Sequence, residues 1–148
     1  MTQNGVEIDM ESIENLSEEQ KKAFLHVFCK MASVDGQFDD CEKIFIRKAA
    51  ADFGIDSAQT EDIINNLDEA AIIKEAALIT ARKAALELIK EMCVLAHADD
   101  NMSDEETLFI GQIGEAMGVE LSKIEEISNW VIDYLIWSDQ GKIIFEKV

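Results

Sequence analysis

The sequence predicts an all-α fold, a compact bundle of about six to seven helices, and three observations carry that expectation. The 148 residues include no proline, and the seven glycines are scattered, which disfavours a strand-rich fold with many tight turns. Apolar residues recur at three- and four-residue steps along most of the chain, the spacing of one face of a helix. Nearly half of the residues are apolar, so a single domain of this length can bury a core without disulfide staples.

Each element has its own signals. Residues 1–15 show little sustained periodicity and read as an N-terminal arm. Ser17 to Gln20 (SEEQ) is a capping box, followed by Phe24, Val27, Phe28 and Met31 on one face to about Ser33. A second helix spans about Asp40 to Phe53, using Ile44, Phe45, Ile46 and Ala49, and stops at Gly54. A third covers Ala58 to Leu67. Glu69 to His97 reads as one long helix or, better, as a short one near 69–79 followed by 80–97. Asp104 to Met117 forms the next, ending at Gly118. The last begins after Ser122 with the box SKIE and runs to about Trp137, beyond which IIFEKV fits either an extension or a helical turn.

Sliding the chain by 64 residues without a gap reveals a repeat. Cys29 falls on Cys93, Asp35 on Asp99, Glu42 on Glu106, Phe45 on Phe109 and Gly54 on Gly118. The units, about 17–67 and 80–137, each read helix, acidic corner, helix, glycine stop, helix. Two pseudo-symmetric three-helix repeats would bury their apolar faces against each other.

The corners are VDGQFDDCE followed by DFGI, and ADDNMSDEE followed by AMGV. This pattern resembles the TerB-like tellurite-resistance family from roughly Ala23 to Trp137. The resemblance implies a single all-helical domain over residues 16–148, a role in tellurite resistance or general stress response, and acidic residues that bind metal. The second corner departs from the pattern at Asp100, in place of glycine, and at Ser103, opposite Asp39.

Two readings of the corners compete. In the first, Asp39 and Ser103 are N-caps with Glu42 and Glu106 at the third helical position, while Gly36 and Asn101 supply the reversal. Phe38 and Met102 are then apolar plugs, and Asp35 and Asp99 make Asx-turns. In the second, Asp35, Asp39 and Glu42 converge on a divalent cation, with Asp99, Ser103 and Glu106 as the sister set. Oxygen-only donors suit Ca²⁺ or Mg²⁺. Three side chains per corner are few against the roughly six to eight ligands of Ca²⁺, so carbonyls, water or the other corner would contribute. An EF-hand is excluded, because the twelfth position from Asp35 is Ile46 and from Asp99 is Ile110.

Cys29 and Cys93 sit among apolar neighbours and are expected to be buried small hydrophobes. His26 and His97 share their helix faces, so a Cys₂His₂ site is geometrically conceivable, although the histidines break the repeat. Cys41 falls near a helix start, where dipole and carboxylates oppose each other. No nucleophile–base motif or phosphate loop is visible, which argues against an enzyme. Thirty-one acids against thirteen bases give a net charge of −18, repelling nucleic acid and anionic membranes. Met1 to Leu16 has four acids and no base, unlike a signal peptide, and three cysteines suit reduced thiols in the cytoplasm. A non-enzymatic interaction module is the other functional reading, with a protein partner or a homodimer. Trp130, Tyr134 and Trp137 are spaced as a core-facing stripe; exposed instead, they would form the contact patch.

Overall fold

The computed structural model describes residues 13–34, 40–97 and 102–146, apart from the side chain of Cys41. Among the described residues every regular element is a helix. They are α1 (Glu18–Ser33), α2 (Asp40–Asp52), α3 (Ser57–Asn65), α4 (Glu69–Ala76), α5 (Arg82–His97), α6 (Asp104–Ala116) and α7 (Leu121–Glu146). The all-α expectation holds.

The apolar faces of α1 and α5 meet at the centre of the bundle. Helices α2 and α3 pack on α1, while α6 and α7 pack on α5. Helix α4 lies against both α1 and α6 and joins the two groups. Phe24, Leu25, Leu88, Ile89, Met92 and Phe109 are fully buried there. Phe24 meets Phe53 edge-on, with ring centroids 5.6 Å apart and planes at 79°. That arrangement sets a ring's positive edge against the negative face of its neighbour. Ile13 and Leu16 are also buried, so the core takes in the chain just before α1.

The helix limits follow local chemistry. Ser17 caps α1 as expected: its Oγ accepts from the Gln20 amide at 3.1 Å, and Gln20 Oε1 accepts from the Ser17 amide at 2.8 Å. Asp56 and Asp68 cap α3 and α4 one way only, their carboxylates accepting from the Gln59 and Ala71 amides. Helices α2 and α6 end at Gly54 (φ 78°) and Gly118 (φ 75°), where the left-handed backbone favours glycine. The closing bonds also correspond, Ile55 N–H to Ala50 O at 2.9 Å and Val119 N–H to Gly114 O at 2.8 Å. Helices α5, α6 and α7 each start 64 residues after α1, α2 and α3.

Two expectations need correction. The last helix starts at Leu121, which puts Ser122 inside the first turn, and it continues to Glu146 instead of stopping near Trp137. Nothing after Trp137 breaks it: Gly141 weakens a helix by about 1 kcal/mol but does not end one. The aromatic stripe also fails as a core face. Trp130 is 54% and Trp137 72% exposed, and only Tyr134 packs partly against the core. The bundle face of α7 is instead Ile124, Ile127, Val131 and Leu135.

Candidate functional site

Of the six acidic-corner residues, Asp35, Asp39 and Asp99 lie outside the described residues, as do Gly36, Phe38 and Asn101. The second corner is visible from Met102 onward. Met102 packs partly against the core, as a plug would. Ser103 Oγ accepts from the Glu106 amide at 3.1 Å, and Glu106 Oε1 accepts from the Ser103 amide at 2.8 Å. Both residues are thus engaged in a reciprocal capping box, which satisfies two of the donors a helix start leaves open. Glu42 stands at the equivalent place on α2, half-buried and close enough for its charge to raise the Cys29 thiol. Among the described residues no group of three or more His, Cys, Asp or Glu side chains is placed to hold a metal ion.

The thiols and histidines divide into two separate settings. Cys29 and Cys93 are both buried and free. Burial, with the Glu42 charge in addition, pushes the Cys29 thiol up to about 12. Burial likewise takes Cys93 to about 12, against a hydrogen bond with Ser128 that works the other way. Neither is a reactive thiolate at neutral pH. His26 lies 3.2 Å from Glu75 through Nδ1, and its Nε2 contacts the Asn66 carbonyl oxygen. Burial alone would lower the His26 pKa, but the Glu75 hydrogen bond and the Asn66 carbonyl outweigh it and the net shift is upward. His97 Nε2 is 3.0 Å from Ser128 Oγ, and burial lowers its pKa despite the nearby Glu106 charge. The two rings therefore serve different partners on different helices. A serine–imidazole pair of this kind has nucleophile–base spacing, although Glu106 Oε1, the nearby acid, is held by the Ser103 amide.

The most prominent surface feature is α7. At 26 residues it is about 39 Å long, against about 24 Å for the 16-residue α1 and α5. Among the described residues its last contact with the core is Leu135. Beyond that point Ile136, Trp137, Ile143, Ile144 and Phe145 are exposed, Phe145 by 82%. Trp130 stacks on Tyr134, with ring centroids 6.2 Å apart and planes at 23°. Trp130 also edges a groove of about 390 Å³ between α5 and α7, whose walls carry Lys83, Lys90 and Lys123 beside Glu87 and Glu126. Lys123 Nζ pairs with Glu126 at 2.7 Å and Lys90 with Glu87, so most of the charge in the groove is paired.

Comparison with known families bears on the first half of this geometry. The family model described as Tellurite resistance protein TerB matches residues 7–65. The resemblance read from the corner motifs is therefore shown for the first unit. The match spans less than half of the chain; it takes in α1, α2, α3 and the first acidic corner, and ends with α3. The comparisons with curated proteins and with solved structures gave no significant match. Among the described residues no helix is long and apolar enough to cross a membrane.

Three features of this TerB-like chain escaped sequence reading. The His97–Ser128 pair joins residues 31 apart, and no periodicity points to it. The apolar end of α7 was hidden by assigning the aromatic stripe to the core. Glu91 belongs to no motif in the sequence, yet it is 0% exposed. Helical period alone places Glu91 at the edge of the polar face of α5, beside Glu87 and Lys90, so nothing in the sequence marks it as buried.

Proposed function

We propose that this chain is a non-enzymatic, TerB-like helical module that acts by protein contact through the end of α7, in cytoplasmic tellurite resistance or a related stress response. The observation that carries the reading is the run of exposed large apolar side chains past Leu135. Contiguous apolar patches beyond a few hundred Å² mark interaction surfaces more often than they mark idle ones. The match over residues 7–65 supports the tellurite setting. The recurring helix limits and paired glycine stops support a scaffold of two pseudo-symmetric units, about 17–67 and 80–137, that presents α7.

The test is survival under tellurite of cells that depend on this chain. Trp137→Glu with Phe145→Glu should abolish the tolerance while leaving hydrogen exchange in the core around Val131 unchanged, because neither side chain is buried in the bundle. Full tolerance with both substitutions would overturn the reading.

A second reading keeps a divalent cation, Ca²⁺ or Mg²⁺, at the acidic corners. The first corner favours it, since it lies within the TerB match and offers Asp35, Asp39 and Glu42. The second is weaker, because the capping box engages Ser103 and Glu106. Calorimetry with either cation, repeated on Asp35→Asn and Asp99→Asn, tests this reading. Heat of binding that the first substitution removes would support it, and no heat at millimolar cation would end it.

A further inference from the structure

We infer that the occupant of the exposed α7 face is the same face of a second copy of this chain, paired antiparallel. The inference rests on the contact reading of α7 proposed above and names its partner.

The face has the spacing of a coiled-coil seam. Trp130, Tyr134, Trp137, Gly141 and Ile144 follow one another at alternating steps of four and three residues, so they line one side of a straight helix. None of the five is charged, in a chain with 31 acids. Asp133, Asp139, Lys142 and Glu146 fall on the flanks and back of the same stretch. A second copy carrying the same −18 charge meets least repulsion along such a stripe.

Side-chain size selects the antiparallel direction. In an antiparallel pair the two kinds of seam position face each other across the interface. With the two-fold axis at residue 139, Trp137 of each copy lies opposite Gly141 of the other, and Tyr134 opposite Ile144. Large faces small in the first layer and a ring faces an aliphatic side chain in the second, and the two-fold axis makes each layer occur twice. A parallel pair would set Trp137 against Trp137 and leave two glycines facing a hole. Gly141 otherwise has no explanation: a Cβ there would meet nothing within 4 Å, so nothing in the chain alone requires glycine in the middle of this helix.

The area is of the right order. Trp130, Trp137 and Phe145, exposed by 54%, 72% and 82%, leave roughly 400 Å² of aromatic surface uncovered. Ile144, which lies in the stripe, adds to it, whereas Ile136 and Ile143 point about a third of a turn away. A standard interface takes about 800 Å² from each partner, so this end of α7 supplies the apolar centre of one.

The experiment is sedimentation equilibrium of the full chain over a dilution series, with the same preparations assayed for tellurite tolerance in cells. The unmodified chain should be a dimer that dissociates on dilution. Gly141→Leu should leave the fold intact, since it improves helix propensity in open space, yet weaken pairing at least about tenfold by meeting the partner's Trp137. Adding Trp137→Ala to Gly141→Leu exchanges large for small in the same layer and should recover most of the affinity. A chain that stays monomeric at every concentration overturns the inference, and so does Gly141→Leu pairing as tightly as the parent. A monomeric chain whose α7 variants still lose tolerance leaves the contact reading standing with a different partner. A dimer whose variants keep tolerance supports the pairing and removes the proposed function.

Discussion

Glu91→Gln should gain stability relative to the parent as the pH rises from mild acid to mild base. Glu91 is fully buried on α5, and neither carboxylate oxygen makes a well-formed hydrogen bond among the described residues. Lys90 Nζ is 3.4 Å away, but it stands closer, at 2.5 Å, to Glu87. One ammonium thus serves two carboxylates. Burial raises the Glu91 pKa from 4.5 to about 7, with Lys90 opposing and Glu87 reinforcing the shift. The folded protein therefore holds this proton more tightly than the unfolded chain does. Stability from this group is greatest below about pH 4.5 and is lost as pH rises through about 7. A shift of this size corresponds to a cost on the order of 3 kcal/mol once the group is ionised. Glutamine keeps the shape and cannot ionise. Its buried amide costs about the same at every pH, so only the pH-dependent part separates the two proteins. Urea unfolding at about pH 5 and pH 8 should show the variant gaining on the parent by roughly 2–3 kcal/mol across that interval. Two parallel stability profiles would refute the argument, because they would mean that Glu91 titrates like a solvated acid.

Two further outcomes follow from local geometry. Ser103→Ala should cost about 1 kcal/mol by chemical denaturation, with or without divalent cation, because the capping box loses its acceptor; a larger loss only in the presence of cation would assign Ser103 to a coordination shell. Glu75→Gln should lower the His26 pKa in an NMR titration, since Glu75 holds the charged ring against burial. Because the folded His26 value lies above the ordinary one, its stabilisation is present below about pH 6.5 and fades as pH rises through the folded pKa. An unchanged His26 titration would remove Glu75 from that role.

The helices were legible because their signals are local. Capping boxes at Ser17 and Ser103, glycine stops at Gly54 and Gly118, and the apolar period of α1 and α5 all lie within a few residues of the feature they determine. The fate of α7 was not legible in the same way. Its two apolar stripes, one through Val131 and Leu135 and one through Trp130 and Trp137, overlap in sequence. Which faces the core depends on how α5 and α6 approach it, a tertiary matter that helical period alone cannot decide. Aromatic bulk favoured the wrong stripe. The corner residues present the opposite case. Their spacing was plain in the sequence, but a capping box and a cation shell use the same residue types at the same places. The bonds at Ser103 and Glu106 are those the capping reading requires, at one corner, and an oxygen that accepts one amide keeps a lone pair for a cation.

Hydrogen exchange along α7 tests most directly whether its far end is a surface made to be covered. An isolated stretch of eleven residues, 136–146, is too short to hold helix well in water. In dilute solution its amides should exchange far faster than those around Val131, which pack on the core. As the concentration rises and copies pair, protection should extend outward from Leu135 toward Phe145, while exchange near Val131 stays unchanged. Amides from 136 to 146 that are as protected as the core at every concentration would contradict the account, because α7 would then need no partner.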